Sequence, residues 1–599
     1  MKRGIPRLMA ASILLLTLAV LSPALARSGA PPLRAAASAL AASTEPHMPK
    51  GDPHAAAFAE SRYPSATVCA TCHPTQYDEW RFSAHAYASI SPMFHKFEQS
   101  ISNLAQGTVG YFCMRCHANV STSLGEAREK PLWDRAPVSR EGVTCVTCHR
   151  VDEAYSKTNG ERRIVPGDIH APVYGGVDGD GVKTVVEHKK DWNAATAPGD
   201  FGLQMHTQGI RFVQLTQSEF CVSCHQVAVH PGIKLETVWD EYRASPAVAK
   251  GIRCQDCHMS DVPGQNTGYR TGAAAVINGR AVNTNRQHYN HSMVGPGYPI
   301  AHPGIFPLNL NSERFSVKTW LTFDYRAGWG TDAFENKVAK GEVKPKFPAE
   351  WAAADDRAEA RVIVDSNLKK IAEKRELRRV LMESGSHLDG PYFSGEPHQG
   401  RTLHFRYRVT NLNSGHNLPS GSLGAQPEVW LNVALIDPSG KNIWESGYVD
   451  SNGDMADLQS LDVHSGKIPR DQQLFNLQSK FLTTNVVGTD REMYLPVPFD
   501  GDQLPFIRPG ETPTSVVNHP PFIRMEKRSL PPLASRDAKY TVPAELLKQP
   551  GKYRLAVRLR SRAEPIYFMR FVGATSDMEQ AMNEWMVDIH PYTVEFQVR

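Results

Sequence analysis

All ten cysteines of this 599-residue chain stand in pentads of the form Cys-x-x-Cys-His. The five pentads are Cys69–Cys72–His73, Cys113–Cys116–His117, Cys145–Cys148–His149, Cys221–Cys224–His225 and Cys254–Cys257–His258. This spacing attaches haem c: two thiols add across the vinyl groups of a porphyrin, and the following histidine becomes the proximal iron ligand. A Cys-x-x-Cys pair also serves zinc sites and redox disulfides, but neither chemistry needs a histidine directly after the second cysteine. With 23 histidines in the chain, that neighbour arises by chance in roughly 4% of cases, so five in a row exclude coincidence. The chain is therefore expected to carry five covalently bound haems.

Haem c is attached outside the cytoplasm, and the N-terminus reads accordingly. Lys2, Arg3 and Arg7 form a basic region, an apolar run extends from Leu8 to Leu21, and Ala24-Leu25-Ala26 offers a small-x-small cleavage site. The run is shorter than the ~20 residues needed to cross a bilayer core. Residues 1–26 thus read as a secretory signal with no transmembrane anchor left after cleavage, which predicts a periplasmic or otherwise exported protein.

The elements that must position the haems follow in order. Residues 27–60, rich in Ala, Pro and Ser, read as a flexible leader. Residues 61–310 hold all five motifs and are expected to be mostly helical and loop-rich. Residues 311–389 read as a helical connector, because Asp355 to Ser384 lacks Gly and Pro and carries apolar residues at helical spacing. Residues 390–599 read as a β-rich, sandwich-like domain. Alternation marks Leu403–Val409 and Val429–Ile436, with Asp437-Pro438-Ser439-Gly440 as a turn, and later strands are expected at Tyr553–Leu559 and Tyr592–Val598. A helical piece near Asp577–Trp585 interrupts them. The fold class is α+β, multidomain.

Five motifs between Cys69 and His258 leave too little protein to keep the porphyrins apart, so the macrocycles must touch or nearly touch. Dense haems conduct electrons. Each iron also has a sixth position, and of the 23 histidines eighteen lie outside the motifs. The net charge of +4 and the lack of a basic tract give no sign of nucleic-acid binding.

The segments CATCHPTQYDEW, EGVTCVTCHRV, SEFCVSCHQV and GIRCQDCHM make residues 61–310 resemble the multihaem cytochrome c superfamily. That superfamily includes the tetrahaem cytochrome of ammonia oxidation, pentahaem nitrite reductase and hydroxylamine oxidoreductase. With FDYRAGWGTDAFE and the GHNLPSG segment, the whole chain is similar to a group of exported pentahaem cytochromes with a C-terminal β-domain. The resemblance implies closely stacked haem pairs and mainly bis-histidine ligation. It also implies distal ligands. His85 stands in a Ser-x-His-Ala segment after a motif helix, His291 follows the fifth motif in NHSMVGPGY, and His416 lies where such β-domains reach back to a haem. His188 and His206 occupy the gap between the third and fourth motifs, where relatives place a further ligand. His95, His170, His230 and His288 are reserves, as are Met93, Met205, Met259 and Met293. Two departures from the enzymes matter. All five motifs end in histidine, whereas the nitrite reductase has a lysine at its catalytic haem. Hydroxylamine oxidoreductase has eight haems and a cross-linked tyrosine, whereas this chain has five motifs and no tyrosine that can be assigned that role.

Asp178-Gly179-Asp180-Gly181 and Asp450-Ser451-Asn452-Gly453-Asp454 resemble the start of a calcium loop. Both lack its glutamate at the twelfth position and read as turns, with calcium as the alternative.

The favoured function is electron transfer between redox proteins, with a quinol-oxidising donor or another cytochrome as partner. The alternatives are reduction or oxidation of a small nitrogen or sulfur compound at one five-coordinate haem, and a subunit of an extracellular cytochrome filament. Whether the chain is an enzyme, and its oligomeric state, stay open at this point.

Overall fold

The computed structural model describes residues 62–599 apart from 105, 106, 108, 154–158, 161, 230–232, 422–426, 479, 484–492, 496–522 and 527. The expected signal and leader, and the reserve ligand His230, lie outside the described residues.

Short helices carry the motifs. Helix α1 (Ala66–Ala70) is capped by Ser65, whose hydroxyl accepts from Thr67 N, and it leads through Cys72 into α2 (Pro74–Trp80), with proline at the first position. Helix α3 (Ala84–Tyr87) is capped by Ser83, and α4 (Pro92–Leu104) follows. The remaining motifs form single turns: α5 (Met114–His117), α6 (Cys145–His149), α7 (Val222–His225) and α8 (Cys254–His258). A helical turn is what the pentad needs, because positions i, i+3 and i+4 share one face. The backbone closes it, with His73 N donating to Cys69 O at 2.8 Å and His225 N to Cys221 O at 3.1 Å. Elsewhere the segment from 150 to 310 is loops, short helices such as Asp180–Glu187 and Val238–Arg243, and two- to four-residue strands, such as Val173–Gly175 paired in parallel with Gly209–Arg211.

The long helix expected at 355–384 is present as α9 (Ala354–Ser384). It is followed by β1 (Ser386–Phe393), which spans the expected boundary at 389/390. Strands β2 (Leu403–Asn411), β3 (Glu428–Ile436), β4 (Asn442–Ser446), β5 (Ser535–Val542) and β6 (Gly551–Arg562) come next. Helices α10 (Ile566–Phe571) and α11 (Ser576–Glu584) then interrupt the strands before β7 (Val587–Val598). One sheet has the order β1-β2-β5 and the other β4-β3-β6-β7, both antiparallel throughout. Leu403, Phe405, Tyr407 and Val409 of β2 share one core with Val429, Leu431, Val433 and Leu435 of β3 and with Leu555, Val557 and Leu559 of β6. Alternate residues of β2 supply that core, as the period of a half-buried strand requires.

Ser61–Arg599 forms one compact unit. Helix α9 is the tie. Its Asn367 Nδ2 donates to Pro303 O at 2.7 Å and Pro307 O at 2.8 Å, its Lys374 Nζ to Phe82 O at 2.9 Å, and its Arg378 Nη1 to Trp585 O at 2.9 Å. Met93 and Ile101 of α4 pack with Ile566, Phe568 and Met569 of α10, and Cys113 lies against the same cluster. The second potential calcium loop is a turn closed by its own groups: Asp450 accepts from Asn452 N and Asp454 N, and from Ser460 Oγ at 2.8 Å. Asp178-Gly179 leads into the helix Asp180–Glu187. Among the described residues, no group of three or more His, Cys, Asp or Glu could hold a metal ion.

Candidate haem-binding and electron-transfer site

Four of the five motif histidines face a second histidine. Ring centres are 6.4 Å apart for His73 and His206, 6.2 Å for His225 and His85, 6.4 Å for His149 and His291, and 6.1 Å for His258 and His416. Two metal–imidazole bonds of about 2.0 Å, with each ring centre about 1.1 Å behind its nitrogen, put such rings about 6.2 Å apart. The observed spacing fits an iron held between each pair.

Three of the outer nitrogens fit as well. Nδ1 of His73 lies 3.0 Å from Ala274 O, that of His149 2.8 Å from Tyr174 O and that of His416 2.9 Å from Asn417 O. A ligand histidine characteristically gives its second N–H to a carbonyl, which fixes the tautomer and leaves Nε2 for the metal. Burial favours the neutral form that ligation needs in four of the paired histidines. It drives His85 down to about 3, and His206, His258 and His291 to about 4, each helped by a neighbouring histidine. Directly after His149, Arg150 is 1% exposed and leaves Nε and Nη1 without partners among the described residues, an arrangement suited to an anionic group such as the carboxylates a haem carries.

His117 differs. Phe94 stacks on its face at 4.4 Å and 8°, too close for an iron between them, and among the described residues no histidine ring stands off it at the spacing of the other four. His95 is nearby, but its Nε2 lies 2.8 Å from Ser89 O. His188 is 61% exposed beside Asp191 and faces no motif histidine. Nε2 of His288 is 2.8 Å from a carboxylate oxygen of Glu79, and Nδ1 of His170 is 3.2 Å from Met205 O. Met93 and Met205 are buried in apolar clusters.

The motifs also meet one another. Cys69 lies beside Cys145 closely enough for each to shift the other's ionisation, as Cys116 does beside Cys224 and Cys221 beside Cys254. Motif 1 therefore abuts motif 3, and motif 4 abuts both 2 and 5. The guanidinium of Arg162 joins motif 3 to motif 4 by donating to Thr147 O at 3.4 Å and to Phe220 O at 2.6 Å, while lying 4.3 Å above the Phe220 ring. Gly160 makes this approach feasible. It has φ +69°, and a Cβ there would sit 2.8 Å from Cys116 Sγ. Nothing in the sequence near Arg162 or Gly160 signalled this role.

Residues 68–150, which contain motifs 1 to 3, match the family described as cytochrome c554 and c-prime. No curated protein matches the chain. Among solved structures, a penta-haem cytochrome c552 from Thermochromatium tepidum is similar over 90% of this chain and 100% of its own, at 14% identity and a TM-score of 0.48. The alkylpurine DNA glycosylase AlkC of Pseudomonas fluorescens, bound to DNA, is similar over 48% of this chain and 68% of its own, at 10% identity and a TM-score of 0.13. Among the described residues, no helix is long and apolar enough to cross a membrane. The five pentads and the local family match support a multihaem c-type cytochrome with covalently bound haem.

Proposed function

We propose that this chain is an exported pentahaem electron carrier. His73/His206, His149/His291, His225/His85 and His258/His416 would hold four irons between paired imidazoles, and His117 would hold the fifth. The four ring pairs at 6.1–6.4 Å carry this reading. Bound haem supplies one-electron redox chemistry, with the potential set by axial ligand, burial and neighbouring charge. The protein's part is to fix the ligands and keep the motifs adjacent. The neighbouring cysteines and Arg162 together order the motifs 1–3–4–5, with 2 joined at 4. A quinol-oxidising protein or another cytochrome is the partner expected at either end, and the N-terminal signal accounts for export to the periplasm.

A second reading, reduction or oxidation of a small nitrogen or sulfur compound, is favoured by one observation: His117 lacks a facing histidine among the described residues. Paramagnetic resonance of the oxidised holoprotein separates the two readings. Electron transfer alone predicts no signal that responds to added nitrite, hydroxylamine or sulfite. A high-spin signal that shifts with one of these compounds assigns chemistry to the motif 2 haem.

A further inference from the structure

His291 stands on an irregular segment. Arg286–Gln287 is a two-residue strand, and the chain then runs without helix or strand through His291. A ligand ring on such a segment needs an external seat, and the seat comes from Glu79 of α2, the helix that follows motif 1. One carboxylate oxygen of Glu79 accepts from His288 Nε2 at 2.8 Å and Arg270 Nη2 at 2.5 Å. The other accepts from His288 Nε2 at 2.9 Å and from the backbone N of His291 at 3.0 Å, and lies 4.0 Å from His291 Nδ1. The Glu79 side chain is 12% exposed, and His288 is 8% exposed. Four hydrogen bonds on one largely buried carboxylate make a clamp rather than an incidental surface contact.

The geometry points to Glu79 as a positioning residue that seats His291 opposite His149 and places a negative charge beside that ring. The inference rests on the proposed His149/His291 ligation. It has two consequences. The helix of motif 1 fixes the distal ligand of motif 3, so two adjacent haem sites share one structural support. The negative charge beside the axial imidazole favours ferric iron, which holds the potential of that haem down.

The test uses the full holoprotein with three variants, followed by paramagnetic resonance and by spectroelectrochemical titration of all haems. His291→Ala is expected to turn one low-spin haem high-spin. Glu79→Gln keeps the volume and loses the charge; it should leave all those signals low-spin while raising the midpoint of one haem couple. Glu79→Ala removes the clamp and should lose part of the same low-spin signal that His291→Ala removes. If His291→Ala gives the high-spin haem but both Glu79 variants keep the parent's signals and midpoints, the clamp is refuted and the ligation stands. If His291→Ala changes nothing, the ligation itself is refuted, and the clamp with it. If Glu79→Ala does not fold, Glu79→Gln decides, and an unmoved midpoint overturns the inference.

Discussion

Replacing His206 by alanine is expected to convert one low-spin haem to high-spin and leave the others unchanged in the optical and resonance spectra. The same change at exposed His188 should alter nothing. The sequence did not separate these two, since both stand in the gap between motifs 3 and 4. Burial separates them: only His206 is drawn inside, stacked parallel to His73 at 6°. His85, His291 and His416 carried local text that singled them out, and the structure sets each opposite a motif histidine. Single alanine substitutions at these three should each produce one high-spin haem. No residue text near His117 named its distal partner, and the described residues place Phe94 on its face instead.

At the scale of elements, α9 is the joint between the haem region and the strands, and two side chains expose what that joint requires. Asn367 is fully buried and satisfies two carbonyls that have no helix or strand partner. Asn367→Ala should therefore cost about 2–4 kcal/mol, read as a lower denaturation midpoint with haem content unchanged. Glu564, between β6 and α10, is half-buried with one buried carboxylate oxygen lacking a partner among the described residues, and burial raises it to about 7. In the unfolded chain it ionises near its ordinary value of 4.5, so the unfolded state loses its proton first. Its contribution to stability is thus neutral below that value and becomes destabilising as pH rises through about 7. At about 1.4 kcal/mol per unit, the penalty is roughly 3 kcal/mol at full ionisation. Glu564→Gln should raise the melting temperature at pH 8 and leave it nearly unchanged at pH 4; an equal shift at both would show that Glu564 is not the titrating group. The strands themselves were readable, because alternation in β2 is a local pattern. Strand β1 was not anticipated, and Gly390 and Pro391 in its middle explain why the segment did not read as a strand.

Across the whole molecule, motif 4 is the junction. Its cysteines lie beside those of motifs 2 and 5, and Arg162 links it to motif 3. Removing the motif 4 haem with Cys221→Ala and Cys224→Ala should break rapid exchange between the motif 1–3 pair and motif 5. Removing the motif 2 haem with Cys113→Ala and Cys116→Ala should leave that exchange intact. Rapid-mixing reduction kinetics, resolved by haem potential, distinguish the two; equal rates in both variants would contradict the order. The haem count itself is checked by intact mass.

What the sequence determined by itself is the set of attachment points and their local shape. Two thiols and a ring at i, i+3 and i+4 meet on one helical turn without help from distant chain. Tertiary structure alone decided which ring stands opposite which, and which motifs lie side by side. Those pairings join segments far apart in the chain, such as His258 and His416, and they depend on how loops, α9 and the C-terminal strands close around the motifs. No spacing along the chain encodes that closure.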